Sequence, residues 1–97
     1  MKLRQEHIER IRNFFSSKPV LKAYLFGSFA RGEADDNSDI DILVELDYST
    51  KIGLEFVRMQ LDLQELLQHK VDLLSEKAIS KYIRPLIEND KQLIYEK

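Results

Sequence analysis

Apolar positions recur along the chain with two periods, one near 3.6 residues and one of two, and the switches between them mark out the elements. Residues 3–15 gather Leu3, Ile8, Ile11, Phe14 and Phe15 on one side of an amphipathic helix. Ser16, Ser17, Lys18 and Pro19 end it. Val20–Phe26 is rich in strand formers and stops abruptly at Gly27-Ser28. Residues 29–38 are polar and include Gly32, Asp35, Asp36 and Asn37, which predicts a short helical turn and then a loop. In Ile40–Leu46 the period is two: Ile40, Ile42, Val44 and Leu46 share one face, and Asp39, Asp41 and Glu45 the other. Leu43 interrupts this alternation, so the acidic face is expected to be partly covered further along.

Residues 51–68 form the longest helical pattern. Ile52, Phe56, Met59, Leu63 and Leu66 or Leu67 make its stripe, Val57 and Leu61 widen it, and Gly53 near its start is a mild weakness. Residues 71–74 read as a short third strand. Ser80 is placed to cap a helix running through residues 84–88, where Pro85 falls early enough to be tolerated. Residues 92–95 suit an edge strand. The predicted order is helix, strand, strand, helix, strand, helix, strand, with no repeat, linker or low-complexity tract, in one domain spanning residues 1–97.

Composition narrows the function classes. With 43% hydrophobic and 33% charged residues the chain reads as globular, not disordered, and the absence of cysteine removes disulfide and thiolate chemistry. Residues 1–12 are charged throughout and contain no signal-like apolar run, and no stretch approaches the roughly 18 apolar residues of a membrane span, so a cytoplasmic location is the expectation. The net charge of −2, from 15 Lys and Arg against 17 Asp and Glu, is not the basic field of a protein that grips long nucleic acid. Strong direct nucleic-acid binding is therefore not expected. A small nucleotide neutralised by metal ions needs no such field.

Three features carry candidate chemistry: Gly27-Ser28 after a strand, Asp39-x-Asp41 opening the next, and Asp72 inside the third. Aspartate is depleted from strands, and two at alternate positions point the same way, where they repel unless a cation lies between them. Asp72 lies between Val71 and Leu73 and faces opposite to both. If the third strand lies beside the second, it joins Asp39 and Asp41. Three carboxylates suit magnesium, and two such ions clamp the attacking and leaving oxygens of an in-line displacement. Gly27 lets backbone N–H groups approach a phosphate, the Ser28 hydroxyl can donate to one, and Arg31 either adds charge near a triphosphate or lies in solvent. A lone Gly-Ser is usually a turn and a lone Asp-x-Asp usually a loop end. At ordinary residue usage, the pair at one fixed spacing arises by chance in about one such chain per thousand. Taken alone, Asp72 fits a cap or salt bridge as well as metal binding.

With these motifs the sequence resembles the minimal nucleotidyltransferases of the DNA polymerase beta-like superfamily. Leu25-Phe26-Gly27-Ser28-Phe29-Ala30-Arg31-Gly32 is similar to the family's strand-to-turn signature, and Ser38-Asp39-Ile40-Asp41-Ile42-Leu43-Val44 to its metal-binding strand, ten residues beyond Ser28. Val71-Asp72-Leu73-Leu74 is similar to the third-acid strand, and residues 82–95 to the usual ending. The resemblance implies an α/β (α+β) nucleotidyltransferase fold, a small mixed sheet of three to four strands flanked by helices. It implies that Gly27 and Ser28 hold the triphosphate of ATP, that Asp39 and Asp41 bind a pair of Mg2+ ions, and that Asp72 completes the site and helps activate an acceptor hydroxyl. Larger relatives carry an extra acceptor-binding domain for which these residues leave no room. Small stand-alone members resemble the antitoxins of modules paired with a HEPN-type toxin, usually an RNase, which implies transfer of AMP to a tyrosine of that partner.

Other residues have plainer readings. His7 lies beside the apolar face of the first helix, and His69 reads as a charge partner for the end of the long helix. Tyr24, Tyr48, Tyr82 and Tyr95 suit packing or the surface better than self-modification, and Asp35 and Asp36 suit a solvated loop. Two rivals stand beside protein adenylylation: a binding antitoxin acting by occlusion, and a small-molecule nucleotidyltransferase of the antibiotic-modifying type.

Overall fold

The computed structural model describes residues 3–97; Met1 and Lys2, part of the charged N-terminal stretch, lie outside the described residues. Eight main elements follow the expected order: α1 (Gln5–Phe15), β1 (Val20–Phe26), α2 (Gly27–Arg31), β2 (Ile40–Leu46), α3 (Glu55–Leu67), β3 (Val71–Ser75), α4 (Arg84–Asp90) and β4 (Gln92–Glu96). A single 3₁₀ turn, Glu76–Ala78, follows β3. The strands form one mixed sheet in the order β3-β2-β1-β4. β1 runs antiparallel to both β2 and β4, and β2 and β3 are parallel. The parallel pair needs a crossover, which α3 supplies.

Alternation decides what each face buries. Ile40, Ile42, Val44 and Leu46 of β2, Ala23 and Leu25 of β1, Val71 and Leu73 of β3, and Ile94 of β4 line the main core. α1 closes it with Ile11 and Phe15, and α3 with Met59, Leu63 and Leu67. On the opposite face Leu43 is buried in a smaller cluster with Phe26 and Ile87, flanked by Tyr24, Leu74 and Ile79. The break in alternation at Leu43 thus marks the place where α4 lies on the sheet. The acidic start of β2 is left outside this cluster.

Three local readings are corrected. The long helix begins at Glu55, not at residue 51, because Gly53 adopts a φ of +48° that a right-handed helix cannot accommodate. Val57 and Leu61 do not widen its buried stripe: they are 56% and 57% exposed, on the side away from the sheet. Residues 81–83 form a turn before α4; the Ser80 hydroxyl accepts the Ile83 N–H at 3.3 Å, so the serine supports the approach to the helix and not its first turn.

β3 is an edge strand, and α3 covers part of its free margin. The side-chain carbonyls of Gln64 and Gln60 accept the Val71 and Leu73 N–H groups at 3.2 and 3.4 Å. At the other margin, Arg12 Nε donates to the Ile94 carbonyl at 2.6 Å.

Candidate active site

The parallel register sets Asp41 opposite Asp72, with Ile40 opposite Val71 one step before. Residues in register on parallel neighbours project from the same face, so the two carboxylates share a surface. Asp39 lies two residues before Asp41, just ahead of the first ladder residue of β2. Its charge and that of Asp72 both act on Asp41. Asp41 is pushed up to about 6, chiefly by burial and then by repulsion from Asp72 and Asp39, with Arg31 pulling the other way. The structure therefore brings the three predicted acids into one electrostatic group.

Gly27 stands against this group. It follows β1, opens α2 with a φ of +74°, and a Cβ placed on it would overlap the Asp41 carboxylate oxygen Oδ2 and lie 3.1 Å from its Cγ. Glycine is required twice here, by the left-handed backbone and by the close approach of the carboxylate. Ser28 follows directly, and its carbonyl accepts the Glu33 N–H at 2.9 Å beyond the left-handed Gly32. The short α2 is tied down at its far end. Arg31 pairs with Glu33 at 2.8 Å and with Asp90 of α4 at 2.6 Å, and Gln92 Nε2 donates to the Ala30 carbonyl at 2.9 Å. Hydrogen bonds to Glu33 and Asp90 hold the Arg31 guanidinium above its ordinary pKa. Arg31 thus reaches the field of Asp41 while already committed to two carboxylates of its own.

The donor set fits a hard divalent ion. It consists of oxygen ligands only, and Asp41 is held well above the usual carboxylate range first by burial and then by the Asp72 and Asp39 charges, a repulsion that a cation would relieve. Among the described residues no group of three or more His, Cys, Asp or Glu side chains is placed to hold a metal ion by itself. An open carboxylate face suits magnesium, which takes one or two carboxylates and fills its remaining positions with water and substrate phosphate.

Pairwise reading of single motifs missed the group that touches Asp39. Lys70 Nζ lies 3.8 Å from Asp39 Oδ2, and the His69 ring reaches the Ser38 carbonyl through Nε2. The expectation that His69 serves the end of α3 is overturned: Gln68 turns left-handed at φ +51°, and the ring reaches the Ser38 carbonyl ahead of β2. The ring's partner is a main-chain carbonyl, which residue types in a sequence do not mark. His7 stays within its own helix start, where its Nδ1 accepts the Arg4 N–H at 3.4 Å. Tyr24 donates to Glu45 at 3.0 Å, and burial together with this bond pushes its hydroxyl up to about 12. Tyr48 and Tyr82 are exposed and Tyr95 packs on Phe15. Asp35 organises its own loop, accepting the Asn37 N–H at 2.9 Å.

A family model described as a nucleotidyltransferase domain matches residues 8–94. A Methanocaldococcus jannaschii protein named as a protein adenylyltransferase is 42% identical over 94 residues, covering 94% of this chain and 92% of its own. A solved structure of a minimal nucleotidyltransferase superposes with a TM-score of 0.78 at 28% identity, over 91% of this chain and 89% of that one. The fold is also that of a solved complex of a tri-AMPylated Shewanella oneidensis HEPN toxin with its MNT antitoxin, at TM-score 0.74 and 20% identity, covering 98% of this chain and 74% of that one. Among the described residues no helix is long and apolar enough to cross a membrane.

Proposed function

The chain belongs to the nucleotidyltransferase domain family, and from that membership we propose that it transfers AMP from ATP to a tyrosine hydroxyl of a HEPN-type toxin and acts as that toxin's antitoxin. The observation that carries this reading is the meeting of Asp41 and Asp72 on one sheet face against Gly27, with the Asp39 charge acting on Asp41 from the residue before the strand. In the reaction the acceptor oxygen attacks the α-phosphorus of ATP, the bond from that phosphorus to the bridging oxygen breaks, and pyrophosphate leaves. Magnesium held by Asp39 and Asp41 would neutralise the phosphate charge and polarise the α-phosphoryl group.

The chain's own groups do the rest. The glycine backbone at residue 27 admits the triphosphate close to the sheet, and Ser28 offers a hydroxyl donor. Asp72, the most exposed of the three acids, would accept the proton of the arriving hydroxyl. The protein acceptor is supported by the name of the M. jannaschii relative and by the partner in the S. oneidensis complex.

The test is to supply ATP labelled at the α-phosphate, with magnesium, to the purified protein in lysate of its source cells, beside γ-labelled ATP and an Asp39→Asn, Asp41→Asn double variant. The expected result is one protein band labelled only from the α-position and absent with the variant. Its sequencing would identify the toxin and the tyrosine. Absence of label, or a partner inhibited equally well by the double variant, would replace transfer with occlusion.

A further inference from the structure

Asp39 and Asp41 belong to one motif, yet the fold holds them by different means. Asp41 lies inside the ladder, opposite Phe26 on one side and Asp72 on the other. Asp39 precedes the first paired residue of β2, Ile40, and follows the loop closed by the Ser38 N–H on the Asp35 carbonyl. Neither strand register includes it. What holds it are the peptides on its two sides. The Ser38 carbonyl, in the peptide before Asp39, accepts from His69 Nε2. The Ile40 N–H, in the peptide after it, donates to the Lys70 carbonyl at 3.0 Å. Peptide units are planar, so fixing the units on either side of one Cα fixes both its dihedrals and the direction of its Cβ.

The clasp is itself anchored. The left-handed Gln68 ends α3, and the His69 N–H donates to the Gln64 carbonyl at 3.3 Å. The His69 ring meets the Phe29 ring edge-on, with centroids 5.6 Å apart. Phe29 follows Ser28 on α2, so one imidazole touches the phosphate-side helix and the peptide leading into β2 together. A carbonyl can only accept, so Nε2 carries the proton in this arrangement. A ring serving merely the helix terminus would face the last carbonyls of α3; this one faces Ser38.

We propose that His69 is a positioning residue for nucleotidyl transfer, holding the Ser38–Asp39 peptide so that the Asp39 carboxylate stays aligned with Asp41. The inference rests on Asp39 serving the transfer site proposed above. Lys70, largely exposed, contributes through its backbone and adds only a screened charge.

The test uses the full chain with His69→Ala and His69→Gln, the latter keeping an N–H donor. Hydrogen exchange of the Ile40 amide should accelerate at least about tenfold in the alanine variant, with the ladder amides from Ile42 onward unchanged. AMP transfer should lose roughly 10- to 100-fold in kcat, with KM for ATP within about threefold, as expected for a misplaced group. Mn2+ binding without nucleotide should weaken about tenfold. The glutamine variant should recover most of each effect. Unchanged Ile40 exchange, a kcat within twofold of wild type, or equal acceleration along the whole of β2 would overturn the proposal. If the wild-type chain labels no acceptor, the transfer reading fails by itself, and the exchange pattern with Mn2+ binding decides the role of His69.

Discussion

Asp41 is held against its own chemistry, and Asp41→Asn should therefore make the metal-free protein more stable while abolishing transfer. Its pKa rises from 3.8 to about 6, and burial is the main cause, followed by Asp72 and Asp39. A shift of about 2 units corresponds to about 3 kcal/mol of preference for the protonated form. The side chain is only partly buried, so screening reduces this to about 1.5 kcal/mol. The sign follows from proton linkage: with the folded pKa raised, the stability tied to the protonated carboxyl is complete below pH 3.8 and lost as pH climbs through 6. Asparagine carries no such loss. In metal-free buffer the variant should match wild type near pH 4 and exceed it at pH 7.5 by roughly 6–12 °C in Tm, taking the usual 4–8 °C per kcal/mol for a domain of this size. Thermal melts at several pH values read this directly. Adding Mg2+ with a non-hydrolysable ATP analogue should raise the Tm of wild type and leave the variant unmoved. A variant no more stable than wild type at pH 7.5, or a gap of equal size at pH 4, would refute the electrostatic account.

Gly27→Ala should lower stability by about 2 kcal/mol or more, since a positive φ alone costs roughly 1–2 kcal/mol and the new methyl overlaps Asp41; chemical denaturation measures it. Asp72→Asn should relieve Asp41, giving a smaller gain in Tm than Asp41→Asn, and should lower kcat by roughly 10²–10⁴-fold with less change in KM, read from the labelled-ATP assay. Tyr24→Phe should remove the phenol whose ultraviolet titration is centred near pH 12 and cost about 1 kcal/mol for the lost bond to Glu45. In wild type that bond's contribution is complete below pH 10 and lost as pH rises through 12.

The elements with strict periodicity were legible as they stand. β1 and β2 have the predicted bounds, and the placement of β3 beside β2, on which the role of Asp72 depends, was stated as a condition and is met. Leu43 disclosed a second covered face through a single break in alternation. Val57 and Leu61 misled because helical spacing reports a side of the helix, not whether anything lies against it. The start of α3 was misplaced because a glycine inside a helical pattern costs little unless its φ is positive, which composition does not reveal. At the site, Gly27, Asp39, Asp41 and Asp72 were visible as residue types at a spacing. The double commitment of Arg31 to Glu33 and Asp90 was not, since Asp90 lies 59 residues away and meets it only through the packing of α4. His69 was hidden for a related reason: its partner is a main-chain carbonyl, and carbonyls leave no mark in a sequence.

The glutamine amides over β3 have a bearing on how a substrate can be recognised. Many proteins capture an extended segment by letting it join a sheet as one more strand, with main-chain bonds providing the grip. Beside Asp72 that route is closed, because Gln60 and Gln64 already occupy the N–H groups of Leu73 and Val71 that an incoming strand would use. An acceptor held by its shape, and not by added strand pairing, is the form of recognition this edge favours. A folded partner should be modified, and a short tyrosine peptide of the same sequence should be ignored.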